Sequence, residues 1–425
     1  MDDIAAHLHV QGTPVHLGPA EPRSWTLLGE HLRMAAALRD AAPAPAAPAV
    51  AVVLGKVHDH RADQALLDGL ALRRSRSWPL LLLHQGAGGA SLLRAATLEE
   101  PGPPIAAVEL TGAARAPAVR RVAHAVLDPA FAWPDPPGRR RELQLGADGL
   151  ARFHQWQPTT LPTGAVPRGP ALVTGGLGGL GLRAAATLAA AGVTDITLLD
   201  VRTDGELPYG DGEILRRLRA HVPRLRVLTT DVTRRADVTR VLSGCRPAIL
   251  IHCSGLVAGG SVSTSTADGL AALRAPKAAG LSHILSGVRR ESLRVLVSFG
   301  SITAHRTHRM MGGYALANEI LRRQTLAAAT QLPECAVVVA EWSLWSGAGQ
   351  AHRMGVIAGA ARQGMPPVPL RSGMAALRRL LAWPRGPQHA AAVLLTPAAD
   401  PDFPLHHGAD RLKALIPAGV PISEK

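Results

Sequence analysis

From residue 171 onward, short apolar runs alternate with stretches of helical periodicity. Ala171–Thr174, Asp195–Asp200, Arg226–Thr230, Ala248–Cys253, Leu293–Phe299 and Ala336–Trp342 are rich in Val, Ile, Leu and Ala and end in turn-forming or polar residues. That pattern predicts buried strands. Between them Leu182–Ala191, Glu213–His221, Ala236–Leu242, Ala267–Leu285 and Tyr314–Leu332 carry apolar residues at helical spacing. Ala391–Thr396 reads as a last strand. Strict alternation of strand and helix predicts an α/β fold, a doubly wound parallel sheet covered on both faces. Residues 346–368 hold Gly, Pro and Met without periodicity, which suits a substrate lid.

The first part of the chain is less regular. Ala49–Leu54, Pro79–His84 and Ile105–Leu110 read as strands, and Ala62–Leu72 and Ala114–Leu127 as helices. Arg141–Leu145 and Ala151–Trp156 read as a hairpin around the glycine-bearing turn at 146–149. Residues 4–16 are a short apolar–polar segment. Proline-rich breaks at 39–49, 132–140 and 158–170 separate these pieces. The last break divides the chain into two units, 1–165 and 166–425.

Composition narrows the class. At 425 residues, 47% apolar and 18% charged, the chain is long enough for two cores and too apolar for disorder. No run reaches the ~18 apolar residues of a membrane span, and the acidic start Met1-Asp2-Asp3 is unlike a signal peptide. Three cysteines, Cys245, Cys253 and Cys335, lack the paired spacing of a zinc site or a disulfide framework, so no metal is expected and a reducing cytoplasm fits best. The net charge of +14 raises the question of a polyanionic partner. The arginines are spread along the whole chain, and aromatics for base stacking are few. The reading is therefore no nucleic acid and no membrane. Only four lysines and two tyrosines occur, against 42 arginines.

Thr174-Gly175-Gly176-Leu177-Gly178-Gly179-Leu180-Gly181 follows a predicted strand and opens a predicted helix, the setting of a dinucleotide-binding turn. Glycine lets backbone N–H groups approach a pyrophosphate, and the helix N-terminus favours the anion. Asp200 ends the second strand. There it either bonds an adenosine ribose, which reads as NAD, or caps a turn; Arg202 is the alternative partner for a 2′-phosphate. Asp231 is placed either to reach an adenine or to form a turn. Further on, Ser301 ends a strand, and Tyr314 and Asn318 share a helix face at i and i+4. Lys277 lies on the preceding long helix. These four suit carbonyl reduction: a tyrosine proton donor, an ammonium to favour its phenolate, a serine to hold the carbonyl oxygen, and an amide to support them.

These residues resemble the ketoreductase of modular polyketide synthases, in the short-chain dehydrogenase/reductase superfamily. His252-Cys253-Ser254-Gly255 resembles its His-Ala-Ala-Gly, and Lys277-Ala278-Ala279-Gly280 its Lys-x-x-Gly. Phe299-Gly300-Ser301 resembles Phe-Ser-Ser, Tyr314-Ala315-Leu316-Ala317-Asn318 resembles Tyr-Ala-Ala-Ala-Asn, and Trp342-Ser343-Leu344-Trp345 resembles Trp-Gly-x-Trp. Lysine before the serine and asparagine after the tyrosine is this family's order. The resemblance covers residues 165–400 and, more loosely, 49–165, which is similar to a truncated Rossmann-like structural subdomain without cofactor. It implies a Rossmann catalytic subdomain. Hydride from NADPH, with NADH as the alternative that Asp200 raises, would reduce a keto group of a polyketide-like small molecule or carrier-bound thioester. The glycine turn, Asp200, Val201, Arg202, Asp231, Val232, Cys253, Ser254, Gly255 and Lys277 would hold the cofactor. Met310, Met311, Trp345 and His305 would line the substrate pocket. Residues 4–16 resemble an upstream linker.

Four positions depart from the family. Val257-Ala258-Gly259 stands where Leu-Asp-Asp often marks one alcohol configuration, and Arg306 where a Trp often marks the other. Met311 replaces a Gln, and Val201 replaces the Arg that binds the NADPH phosphate. The competing reading is a silent reductase-like scaffold in a polyketide assembly line.

Overall fold

The computed structural model describes residues 4–398, apart from 19, 30, 40–46, 132, 134–141, 244, 363–365 and 387–388. Most of the proline-rich breaks at 39–49 and 132–140 lie outside the described residues, as does part of the 346–368 stretch. In chain order the strands are β1 (Ile4–Pro14), β2 (Arg23–Leu28), β3 (Ala47–Leu54), β4 (Leu80–His84), β5 (Ile105–Leu110), β6 (Glu142–Leu145), β7 (Ala151–Pro158), β8 (Ala171–Thr174), β9 (Asp195–Asp200), β10 (Arg224–Thr229), β11 (Ile249–His252), β12 (Val295–Ser301), β13 (Ala336–Trp342) and β14 (Ala390–Pro397). Every side chain of β8, β11, β12 and β13 is buried. The predicted apolar runs thus become central strands with helices on both faces.

The sheet order is β10-β9-β8-β11-β12-β13-β14-β1-β7-β6-β5-β4-β3-β2. β8 to β14 are mutually parallel. Their chain order reverses between β8 and β11, so a crevice opens at the C-terminal ends of those two strands, where doubly wound folds bind ligands. β2 to β6 form a second parallel set. The two sets meet through antiparallel strands: β1 pairs with both β14 and β7. The segment read as a linker is therefore a strand. Its His, Gln and Gly residues hide the pattern, and only the two neighbouring strands that need partners recruit it.

Among the helices that the sequence pattern does not predict are Ala90–Glu99 and Leu370–Leu380. The first begins at Gly89, which offers no side-chain cap. Its cap comes from far away in sequence: the Glu319 carboxylate accepts from Gly89 N (3.1 Å), Ser91 N (2.9 Å) and Ser91 Oγ (2.6 Å). The long predicted helix 267–285 is broken instead into Ala267–Arg274, a π turn Ala275–Ala279 and Gly280–Gly287. Pro276 is the cause, because it lacks an N–H and its ring crowds the preceding turn.

Candidate active site

The glycine turn follows β8, and the helix Gly179–Ala190 starts from Gly178 without a side-chain cap. Its first N–H groups are therefore free to meet an anion. Gly175 has φ +62°, and a Cβ there would stand 3.0 Å from the backbone of Cys253 and Ser254. Glycine is what lets the loops after β8 and β11 approach. Asp200 closes the turn from below: its carboxylate accepts from Leu177 N at 3.0 Å and from Arg202 N at 3.1 Å. The same carboxylate pairs with the Arg202 guanidinium, Nε at 3.1 Å and Nη2 at 3.3 Å. Asp200 thus acts as the turn cap and as the clamp that holds Arg202 over Gly178, while Val201 points to solvent (61% exposed).

Two cofactor-side residues of the sequence reading take structural places. The Asp231 carboxylate accepts from Thr233 N (2.9 Å) and Thr233 Oγ1 (2.7 Å), which closes a turn. Val232 is buried in the core against Gly280.

Lys277 sits in the π turn and is buried. Its Nζ donates to the Phe299 carbonyl at 3.0 Å and lies 5.9 Å from the Tyr314 ring centroid. Burial pulls the ammonium down to about 8, opposed by the neighbouring Cys253 thiol. Gly255 leaves the room it needs, since a Cβ there would lie 2.9 Å from Lys277 Cε. His252, buried and pulled down to about 4 by desolvation, is neutral at pH 7. It donates through Nε2 to the Lys277 carbonyl (2.8 Å), and its Nδ1 accepts from Thr174 Oγ1 (2.7 Å). One imidazole so ties the glycine turn to the π turn. Its role was hidden in the sequence because a buried histidine's partners are remote along the chain. Cys253 beside it is held well above the usual thiol range by burial and is no nucleophile.

Tyr314 stands in the first turn of the helix Gly312–Ala328. Burial raises its pKa, and the side chains of Asn318 and Ser301 pull it back down. Asn318 Nδ2 donates to the Tyr314 carbonyl at 2.8 Å, and its buried Oδ1 has no hydrogen-bond partner among the described residues. Ser301 ends β12, one residue pair beyond Gly300 and Glu341.

Lys277, Ser301 and Tyr314 open on one cavity of about 640 Å³. Its far wall is the expected lid stretch, here the short helices Gly349–Arg353 and Ile357–Arg362. Gln350 fastens that wall, accepting from Val257 N and donating to the Gly255 carbonyl, both at 2.8 Å. Met311, Arg306, His308, Trp342 and Trp345 line the cavity. Two pocket residues of the sequence reading are placed elsewhere. Met310 is half exposed, with φ +64° and its N–H on Glu99 Oε1. His305 is buried against Glu341, because a carboxylate from the neighbouring strand draws the imidazole inward. Among the described residues, no helix is long and apolar enough to cross a membrane.

The KR domain family matches residues 169–347. Over 221 residues the chain is 30% identical to the polyketide synthase GfsA of Streptomyces halstedii, a match that spans 51% of this chain and 3% of that protein. The ketoreductase from the first module of phoslactomycin biosynthesis in Streptomyces sp. HK803 superposes with a TM-score of 0.72 at 22% identity, over 92% of this chain and 93% of that one. An A1-type ketoreductase superposes with a TM-score of 0.77 at 20% identity, over 97% and 99%. The glycine turn, the π-turn lysine, the serine strand end and the tyrosine helix all fall inside the segment, residues 169–347, that matches the KR domain family, and the chain spans only a small part of the curated polyketide synthases it is similar to.

Proposed function

We propose that the protein reduces a keto group of a polyketide-type substrate to a hydroxyl, with NADPH as hydride donor. The convergence of Ser301, Tyr314 and Lys277 on one cavity beside an uncapped glycine turn, with Asn318 bonded to the Tyr314 carbonyl, carries this reading. Residues 166–425 would hold the reaction, with 346–368 as lid, and residues 1–165 would be a scaffold without cofactor. The cofactor fits the residues present: the backbone N–H groups of Gly179 and Leu180, at the uncapped helix start, would meet a pyrophosphate, and Arg202 would offer N–H groups to a 2′-phosphate. Asp200, engaged by Leu177 and Arg202, has its charge compensated, which favours NADPH over NADH.

When bound, the nicotinamide supplies the hydride that adds to the carbonyl carbon. Ser301 donates a hydrogen bond to the carbonyl oxygen and steadies the alkoxide that forms. Tyr314 Oη passes its proton to that alkoxide, and the new C–H and O–H bonds complete the alcohol. The Lys277 ammonium, fixed at Phe299, stabilises the negative charge left on the phenol side of the cavity. Asn318 anchors Tyr314 and presents Oδ1 as an acceptor for the proton relay. The apolar lid wall shields the charge from water.

The test is NADPH oxidation with a bicyclic ketone and with a β-ketoacyl thioester, wild type against Tyr314→Phe. The variant should lose about 100-fold or more in kcat while binding NADPH unchanged. Wild type should bind NADPH more tightly than NADH. A Tyr314→Phe enzyme at wild-type rate sinks the proton-donor assignment, and a wild type inert toward both substrates sinks the reaction.

A further inference from the structure

Glu341 lies one residue from the end of β13, in register with Gly300 of β12. It is fully buried, at 0% exposure. The sequence reading passed over it, because a lone acid inside an apolar strand run matches no motif. Its carboxylate accepts from His305 Nε2 at 2.8 and 2.9 Å. Its Oε1 also lies 3.6 Å from Nε of Arg322, another buried residue. A Cβ on Gly300 would stand 3.2 Å from Glu341 Cγ, so this strand pair has made room for the acid.

Both His305 and Arg322 belong to segments that carry reactive groups. His305 closes the tight turn Ile302–Ala304 that Ser301 opens: Ser301 Oγ accepts from Thr303 N at 3.3 Å, and His305 N donates to the Ile302 carbonyl at 2.9 Å. Trp156 of β7 meets the His305 ring edge-on at 4.6 Å and fixes its plane. Arg322 lies one helical repeat of four beyond Asn318 and two beyond Tyr314, so the three share a helix face. One buried carboxylate is therefore bonded to the turn after Ser301 and charge-paired to the helix of Tyr314.

We infer that Glu341 is a positioning residue. Through His305 and Arg322 it sets the spacing between the Ser301 hydroxyl and the Tyr314 phenol, and it touches no substrate itself. The inference rests on the reduction reading above. A reaction that needs two donors on one carbonyl oxygen is sensitive to such spacing, since errors near 1 Å can cost up to about 100-fold.

Three variants test this: Glu341→Gln, which keeps one hydrogen bond and removes the charge; Gly300→Ala, which crowds Glu341 and leaves it charged; and Leu143→Ala, which opens a hole in the core beneath β6. The readouts are kcat, KM, NADPH affinity by fluorescence, and amide hydrogen exchange over residues 302–307 and 312–322. Glu341→Gln should lower kcat about tenfold or more, leave KM and NADPH affinity within about twofold, and speed exchange in both segments together. Gly300→Ala should do the same to a smaller extent and keeps the test alive if Glu341→Gln does not fold. Leu143→Ala should lose thermal stability and keep kcat. Unchanged kcat in both site variants, a kcat loss that Leu143→Ala reproduces at equal stability, or loosening of one segment alone overturns the inference. If wild type reduces no ketone, the reduction reading falls by itself, and exchange still decides whether Glu341 couples the two segments.

Discussion

Replacing Lys277 by Met should make the protein more stable and nearly inactive. The ammonium is buried and drawn down to about 8 from the ordinary 10.5. That gap corresponds to roughly 3 kcal/mol of burial cost carried by the folded state at neutral pH. The sign follows from proton counts. Below pH 8 both folded and unfolded chains hold the proton, and the full cost is present. Between about 8 and 10.5 the unfolded chain binds more protons than the folded one, so the cost fades as pH rises. Methionine fills a similar volume without charge, but it gives up the 3.0 Å hydrogen bond to Phe299, worth about 1 kcal/mol. The net expectation at pH 7 is a gain of about 2 kcal/mol in unfolding free energy. The gain should shrink toward zero by about pH 10. Urea melts of both proteins across pH measure it. In parallel kcat should drop about 100-fold or more, and wild-type kcat should itself decline as pH rises through about 8, where the ammonium is lost. A variant that is less stable at pH 7, or that retains turnover, refutes the reasoning.

Two further outcomes follow from the same geometry. Gly255→Ala places a methyl group 2.9 Å from Lys277 Cε, so kcat should fall about tenfold with little change in stability, as measured by steady-state kinetics beside a thermal melt. Glu319→Gln should cost about 3 kcal/mol, read by chemical denaturation at pH 7. Burial alone would raise this carboxyl, but Arg323 and the Ser91 donors outweigh burial and hold it well below its ordinary range. That stabilisation is present above the unfolded carboxyl pKa and is lost as pH falls. The gap between wild type and variant should therefore close in acid, and an unchanged gap at pH 3 counts against the cap.

The site was legible in the sequence to the extent that its chemistry is local. The glycine turn needs small residues between a strand and a helix, and the tyrosine and asparagine need one helix face, so spacing alone exposed them. Strands that are largely buried appeared as predominantly apolar runs, which is why Ala171–Thr174, Asp195–Asp200 and Ala336–Trp342 were read with their full bounds. A ketoreductase-like order of Lys277, Ser301, Tyr314 and Asn318 is likewise a matter of chain order.

What only the tertiary structure decided are the interactions that join residues far apart in sequence. Strand β1 has no clear alternation of its own and exists because β14 and β7 both lack a partner beside it. The helix after Gly89 has no local cap and starts where Glu319 reaches it. His305, read as a pocket residue, turns inward because Glu341 of the next strand offers a buried carboxylate. Asp200, which sequence left between ribose ligand and turn cap, accepts from Leu177 N and pairs with Arg202. In each case a buried polar group had to be satisfied, and the group that satisfied it came from wherever the fold brought one close.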